Sequence, residues 1–140
     1  MVWAVVNSVA LLQAAGFATR IIDPGINRIL GWLIVALAVP VSVAGANLLR
    51  SGATWREVIG PVAFDLFVIY AVVVDYTLAI EFRDPPEPAV LIPYLVLFFG
   101  SIVLMGAPML RIDRRLWTVT ALSTALLIGS MLFAMRHGVG

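Results

Sequence analysis

Apolar runs of nearly constant length alternate with short polar segments along the chain, and this alternation sets the first structural expectation. The runs are Val2 to Thr19, Ile29 to Leu49, Ile59 to Phe82, Ala89 to Leu110 and Leu116 to Met135. Each approaches the roughly 20 residues that a helix needs to cross the hydrocarbon of a bilayer. A membrane strand would alternate apolar and polar residues, whereas these runs are almost continuously apolar, so helices are expected. The expected fold class is an all-α integral membrane protein, with five transmembrane helices in one small bundle forming a single transmembrane domain over residues 1–140.

The connectors carry breakers and caps where helices should stop. Asp23-Pro24-Gly25 predicts a turn between the first two helices. Ser51-Gly52 predicts the end of the second, and Thr54 to Glu57 has the spacing of a capping box, which gives the third helix a defined start. Arg83 to Pro88 holds three prolines and cannot be helical throughout. Arg111 to Arg115 is the most basic connector. Pro40, Pro93 and Pro108 are expected to kink their helices, and the glycines to allow close helix contact. Trp3, Trp32, Trp55 and Trp117 lie near predicted helix ends, as interfacial anchors do. The first run lacks a basic leader and is interrupted by Asn7 and Gln13, so it is expected to be a helix of the bundle rather than a signal peptide.

Composition supports the membrane reading and narrows the chemistry. Of 140 residues, 62% are hydrophobic and 12% charged, where a soluble domain carries about twice that charged fraction. There is no Cys, which excludes disulfides, thiolate metal sites and iron–sulfur clusters. The single His137 cannot form an intramembrane bis-histidine haem site within one chain. All nine basic residues are Arg, so Schiff-base cofactors and a P-loop lysine are excluded. A formal charge of +1 gives no case for nucleic acid. No cofactor and no metal site is expected. No nucleophile–base pair or phosphate loop is present, which argues against an enzyme.

Orientation rests on the arginines near helix ends. Arg50, Arg56, Arg111, Arg114 and Arg115 fall on one side, and Arg20, Arg28, Arg83 and Arg136 on the other. The positive-inside rule then predicts an N-inside, C-outside chain by a margin of five to four, a balance that also suits a chain inserting both ways, and the expected membrane is a prokaryotic-type plasma membrane.

Two carboxyls fall inside the third run. An ionised Asp costs roughly 2.5 to 3.5 kcal/mol at the centre of a spanning helix, so neither Asp65 nor Asp75 should face lipid. With the boundaries above, each lies about 9 to 10 Å inside a helix end. Ten positions place them about 80° apart around the helix and about 15 Å apart along it, too far to share a proton. Tyr76 and Thr77 add hydroxyls beside Asp75, and the wheel puts Tyr76 almost above Asp65. Asp65, Asp75, Tyr76 and Thr77 are therefore the expected residues of a polar or transport path.

Partners for the two acids are expected from Asn7, Ser8 and Gln13, from Ser42 and Asn47, from Ser101, and from the hydroxyls of the fifth helix. Glu81, Asp84 and Glu87 surround Arg83 as a solvated acidic loop. Five short helices enclose little space, so a path shielded from lipid would form more easily between protomers, and a homodimer is the simplest such arrangement. The functional expectation is an oligomeric proton- or cation-linked channel or transporter. Its alternative is an accessory or scaffold subunit of a membrane complex, whose carboxyls only join helices.

Overall fold

The computed structural model describes residues 2–20, 22–80, 82 and 87–137. Among these residues, all regular structure is helical. The elements are α1 (Val2–Arg20), α2 (Pro24–Ala36), α3 (Ala38–Arg50), α4 (Trp55–Ala71), a π-helical turn (Val72–Thr77), α5 (Pro88–Gly106), α6 (Met109–Ile112) and α7 (Arg114–Arg136). They compose five helical stretches long and apolar enough to cross a membrane: Val2–Thr19, Arg28–Arg50, Trp55–Thr77, Pro88–Ile112 and Arg114–Arg136. We call these spans 1 to 5, their membrane location following from length and composition. Large apolar side chains such as Val39, Val96 and Leu122 are more than 60% exposed. A surface of that kind fits a lipid environment rather than water.

The polar connectors start the helices as their chemistry dictates. Asp23 caps α2 by accepting from the Gly25 N–H at 2.7 Å, and Asp113 caps α7 by accepting from the Arg115 N–H at 2.8 Å. At α4, Glu57 Oε2 accepts from both the N–H and the hydroxyl of Thr54, each at 2.9 Å. Glu57 thus reaches back as expected, while the Thr54 hydroxyl donates to it.

The prolines act unequally. Pro40 removes one backbone donor and crowds the carbonyl four residues earlier, and the second span is interrupted at Leu37 between α2 and α3. Pro108 lies in the break between α5 and α6. Pro93, by contrast, sits inside an unbroken α5, and Pro61 inside an unbroken α4. The third span runs from Trp55 to Thr77 rather than from Ile59 to Phe82. It begins early because the Thr54–Glu57 cap initiates it. It ends early because the α-helical ladder gives way at Val72 to a widened turn that ends at Thr77.

Spans 1 to 4 close a ring: α1 packs on α2, α3 on α4, α4 on α5, and α5 back on α1. The fifth span lies outside this ring with α1 as its main partner. Its buried residues Thr120, Ser123, Leu127 and Ala134 recur at helical spacing on one stripe. The core is built from Val6, Val9, Phe64, Phe67, Phe98, Ile102 and Met105. Phe67 is its aromatic centre, with ring centroids 5.2 Å from Tyr94 and 5.1 Å from Phe98. Lipid is as apolar as these side chains, so close packing and interhelical hydrogen bonds, rather than escape from water, hold such helices together.

Candidate functional site

The π-helical turn places the chemistry of span 3. Its hydrogen bonds reach five residues back, as in Leu78 N–H to the Val73 carbonyl at 2.8 Å. The Thr77 hydroxyl donates to the Val72 carbonyl at 3.1 Å, also five residues back. Such a turn accommodates about one extra residue, equivalent to roughly 100° of rotation relative to a continuous α-helix. Asp75 is thereby turned further from the face of Asp65 than an unbroken wheel predicts. The early end of the span also leaves Asp75 two residues from Thr77, close to a helix end, while Asp65 lies about 15 Å along the helix from Trp55.

Asp75 and Tyr76 line a small cavity of about 40 Å³ together with Gln13 of α1 and Tyr94 of α5. Gly31, Ile34 and Val35 of α2 and Phe67, Val68 and Ala71 of α4 also line it. Such a space holds a few water molecules and no larger organic ligand. The Tyr76 ring packs against Trp32 with centroids 4.4 Å apart and the planes tilted by 41°. Its hydroxyl lies where a Cβ on Gly31 would sit, so the bare backbone of Gly31 admits the phenol. The cavity draws on spans 1, 2, 3 and 4, the four members of the ring.

Asp65 belongs to a different place. Its Oδ2 accepts from the Ser42 hydroxyl at 3.0 Å, linking α4 to α3. Its Oδ1 is buried and has no hydrogen-bond partner among the described residues. Ser42 itself is exposed, so this pair sits at the outer edge of the seam between spans 2 and 3. Of the four residues expected along one path, Asp75 and Tyr76 share the cavity. Asp65 stands apart on the α3 side, and Thr77 is exposed and bonded within its own turn. Tyr76 packs against Trp32 and Gly31 rather than above Asp65.

Asn7 and Trp3 join spans 1 and 5 to one another. Asn7 Nδ2 donates to the Trp3 carbonyl at 2.8 Å and to Thr120 Oγ1 at 3.2 Å, and Asn7 Oδ1 accepts from the Ser123 hydroxyl at 2.7 Å. Trp3 Nε1 donates to the Leu116 carbonyl at 2.9 Å, fixing the beginnings of spans 1 and 5 beside each other. Thr120 and Ser123 of α7 therefore serve α1, while Thr118, Thr124 and Ser130 donate to carbonyls of α7 itself. Sequence reading named Gln13 among many possible partners but gave no role to Tyr94 or Gly31. A polar residue within an apolar run was the available signal for Gln13. Nothing in the sequence singles out Gly31, because its part depends on the Tyr76 ring arriving from another span.

Among the described residues, no three His, Asp or Glu side chains are grouped as metal ligands. The expected acidic loop falls at Glu81, Arg83 and Asp84, outside the described residues, while Glu87 is exposed and precedes α5. No family model matches this chain, and comparison with curated proteins and with solved structures finds none that is similar.

Proposed function

We propose that this chain is an oligomeric, proton- or cation-linked membrane channel or transporter in which Asp75 is the exchanging group. The observation that carries this reading is the water-sized cavity inside the ring of spans 1 to 4, lined by Asp75, Tyr76, Gln13 and Tyr94. An acid that faces the interior of a spanning bundle is by default a candidate for an ion or proton pathway. π-turns interrupt helices frequently at functional sites, and this one carries the acid. The membrane in this reading is a prokaryotic-type plasma membrane, with residue 1 inside and residue 140 outside, and the partner is a second copy of the chain.

A second reading, an accessory or scaffold subunit, has its own support in the Ser42–Asp65 and Asn7–Ser123 bonds, which tie helices together. Asp-to-Asn substitution separates the two readings, since Asn keeps the shape and loses the exchangeable proton and the charge. In vesicles reconstituted with the purified protein under a proton, sodium or potassium gradient, Asp75→Asn is expected to lower flux at least about tenfold while remaining folded. Asp65→Asn is expected to retain flux. No flux from the wild type under any of these gradients, or full flux in Asp75→Asn, would remove the transport reading and leave the scaffold.

A further inference from the structure

The face that carries Arg50, Arg56, Arg111, Arg114 and Arg115 also holds a cleft of about 660 Å³, between the start of α4 and the end of span 4. The helix break at Ala107 and Pro108 forms part of its wall. Two guanidinium groups line it from different spans, Arg56 in the first turn of α4 and Arg111 in α6. Ile59, Leu104, Ala107 and Leu110 supply apolar wall. Among the described residues, the one carboxylate in the lining is Glu57, and its Oε2 accepts two hydrogen bonds from Thr54 in the helix cap. Two cations against one engaged anion leave the charged part of the cleft positive. Trp55 stands at the same place, 68% exposed, with the Arg56 guanidinium 5.7 Å from its ring centroid.

We infer that this cleft binds an anionic phospholipid, with the headgroup phosphate at Arg56 and Arg111 and an acyl chain along Ile59 and Leu104. Guanidinium groups suit phosphate because their planar fork donates two parallel hydrogen bonds. Basic pockets between spanning helices are sites at which anionic lipid headgroups are recognised. The volume lies within the range of about 300 to 1,000 Å³ occupied by small-molecule sites. Free phosphate carries the same charge, but it would leave the apolar wall without a partner. A lipid uses both ends of the cleft, and Ile59 and Leu110, at 37% and 52% exposure, carry its apolar wall out to the protein surface.

The test uses the full chain in nanodiscs of phosphatidylcholine alone, or of phosphatidylcholine and phosphatidylglycerol in equal parts. Native mass spectrometry reads the retained lipid, and thermal unfolding reads the stabilisation. Phosphatidylglycerol should be retained over phosphatidylcholine by about tenfold. The Arg56→Gln/Arg111→Gln variant should lose that preference while unfolding in pure phosphatidylcholine as the wild type does. Ala107→Trp, which fills the cleft and keeps both arginines, should lose it as well, so either variant suffices if the other does not fold. Arg114→Gln/Arg115→Gln, on the same face but outside the cleft lining, should keep the preference. Equal retention of the two lipids by the wild type overturns the inference, as does an equal loss in the Arg114/Arg115 control, which would indicate diffuse surface charge. Inorganic phosphate that stabilises the protein in phosphatidylcholine as much as phosphatidylglycerol does would overturn the lipid assignment.

Discussion

Asp65 and Asp75 show how two identical side chains on one helix acquire different surroundings. One meets a serine at a seam between spans, and the other meets a cavity within the ring. Residues without functional groups decide as much. A Cβ on Gly60 would lie 2.8 Å from the Met105 backbone nitrogen and 2.9 Å from the Leu104 carbonyl carbon, marking a close approach of α4 and α5. Backbone cannot move aside as a side chain can, so Gly60→Ala must push spans 3 and 4 apart. The expected cost is about 1 to 3 kcal/mol, the usual penalty of overpacking. Reversible unfolding in detergent or bicelles reads it, and a variant as stable as the wild type would contradict the contact. At Gly31 the neighbour is instead the Tyr76 hydroxyl, the movable end of a side chain. A single glycine in an apolar run gives no sign of which case applies.

At the scale of elements, the ends of the helices were largely written in the polar connectors. Asp23, Thr54 with Glu57, and Asp113 each sit where a helix begins. Proline positions were less informative, because Pro40 lies three residues after the break at Leu37 while Pro93 is absorbed within α5. The π-turn was not legible at all, since a run of valines is compatible with an ordinary α-helix in hydrocarbon. Past that turn, Ala79 adopts φ +48°, a left-handed conformation that crowds its Cβ. Glycine carries no such penalty, so Ala79→Gly should stabilise the protein by about 0.5 to 1 kcal/mol, after allowing for the greater freedom of glycine in the unfolded chain. An unchanged or lowered unfolding free energy in the same assay would mean that the chain does not turn through a left-handed Ala79.

At the scale of the whole molecule, an odd number of spans separates the two ends of the chain. Reporter tags attached at residues 1 and 140 should therefore be found on opposite sides of the membrane, as protease protection or compartment-specific labelling can read. Tags on the same side would remove one span from the topology. The arrangement has a further consequence: spans 1 to 4 enclose the cavity, and span 5 adheres to span 1 through the Asn7, Thr120 and Ser123 bonds. The polar stripe of span 5 is therefore satisfied within the chain, which leaves its other faces, including Leu122, Leu126 and Phe133, exposed.

The sequence by itself determined the number of long apolar helices and most of their starting points. These follow from local quantities, namely the length of an apolar run, the need to satisfy every backbone group in lipid, and capping side chains a few residues away. It also identified Asp65 and Asp75 as costly residues requiring a reason. Only the tertiary structure decided which of them lines a cavity, because that depends on a one-residue change of helical register at Val72–Thr77 and on Gln13, Gly31 and Tyr94 arriving from three other spans. It likewise decided that Thr120 and Ser123 of span 5 bond to Asn7. Helices that are apolar on nearly every face carry no strong periodic signal to say which face meets which neighbour. In lipid that choice is made by close packing and a few interhelical hydrogen bonds, and these exist only once the spans have come together.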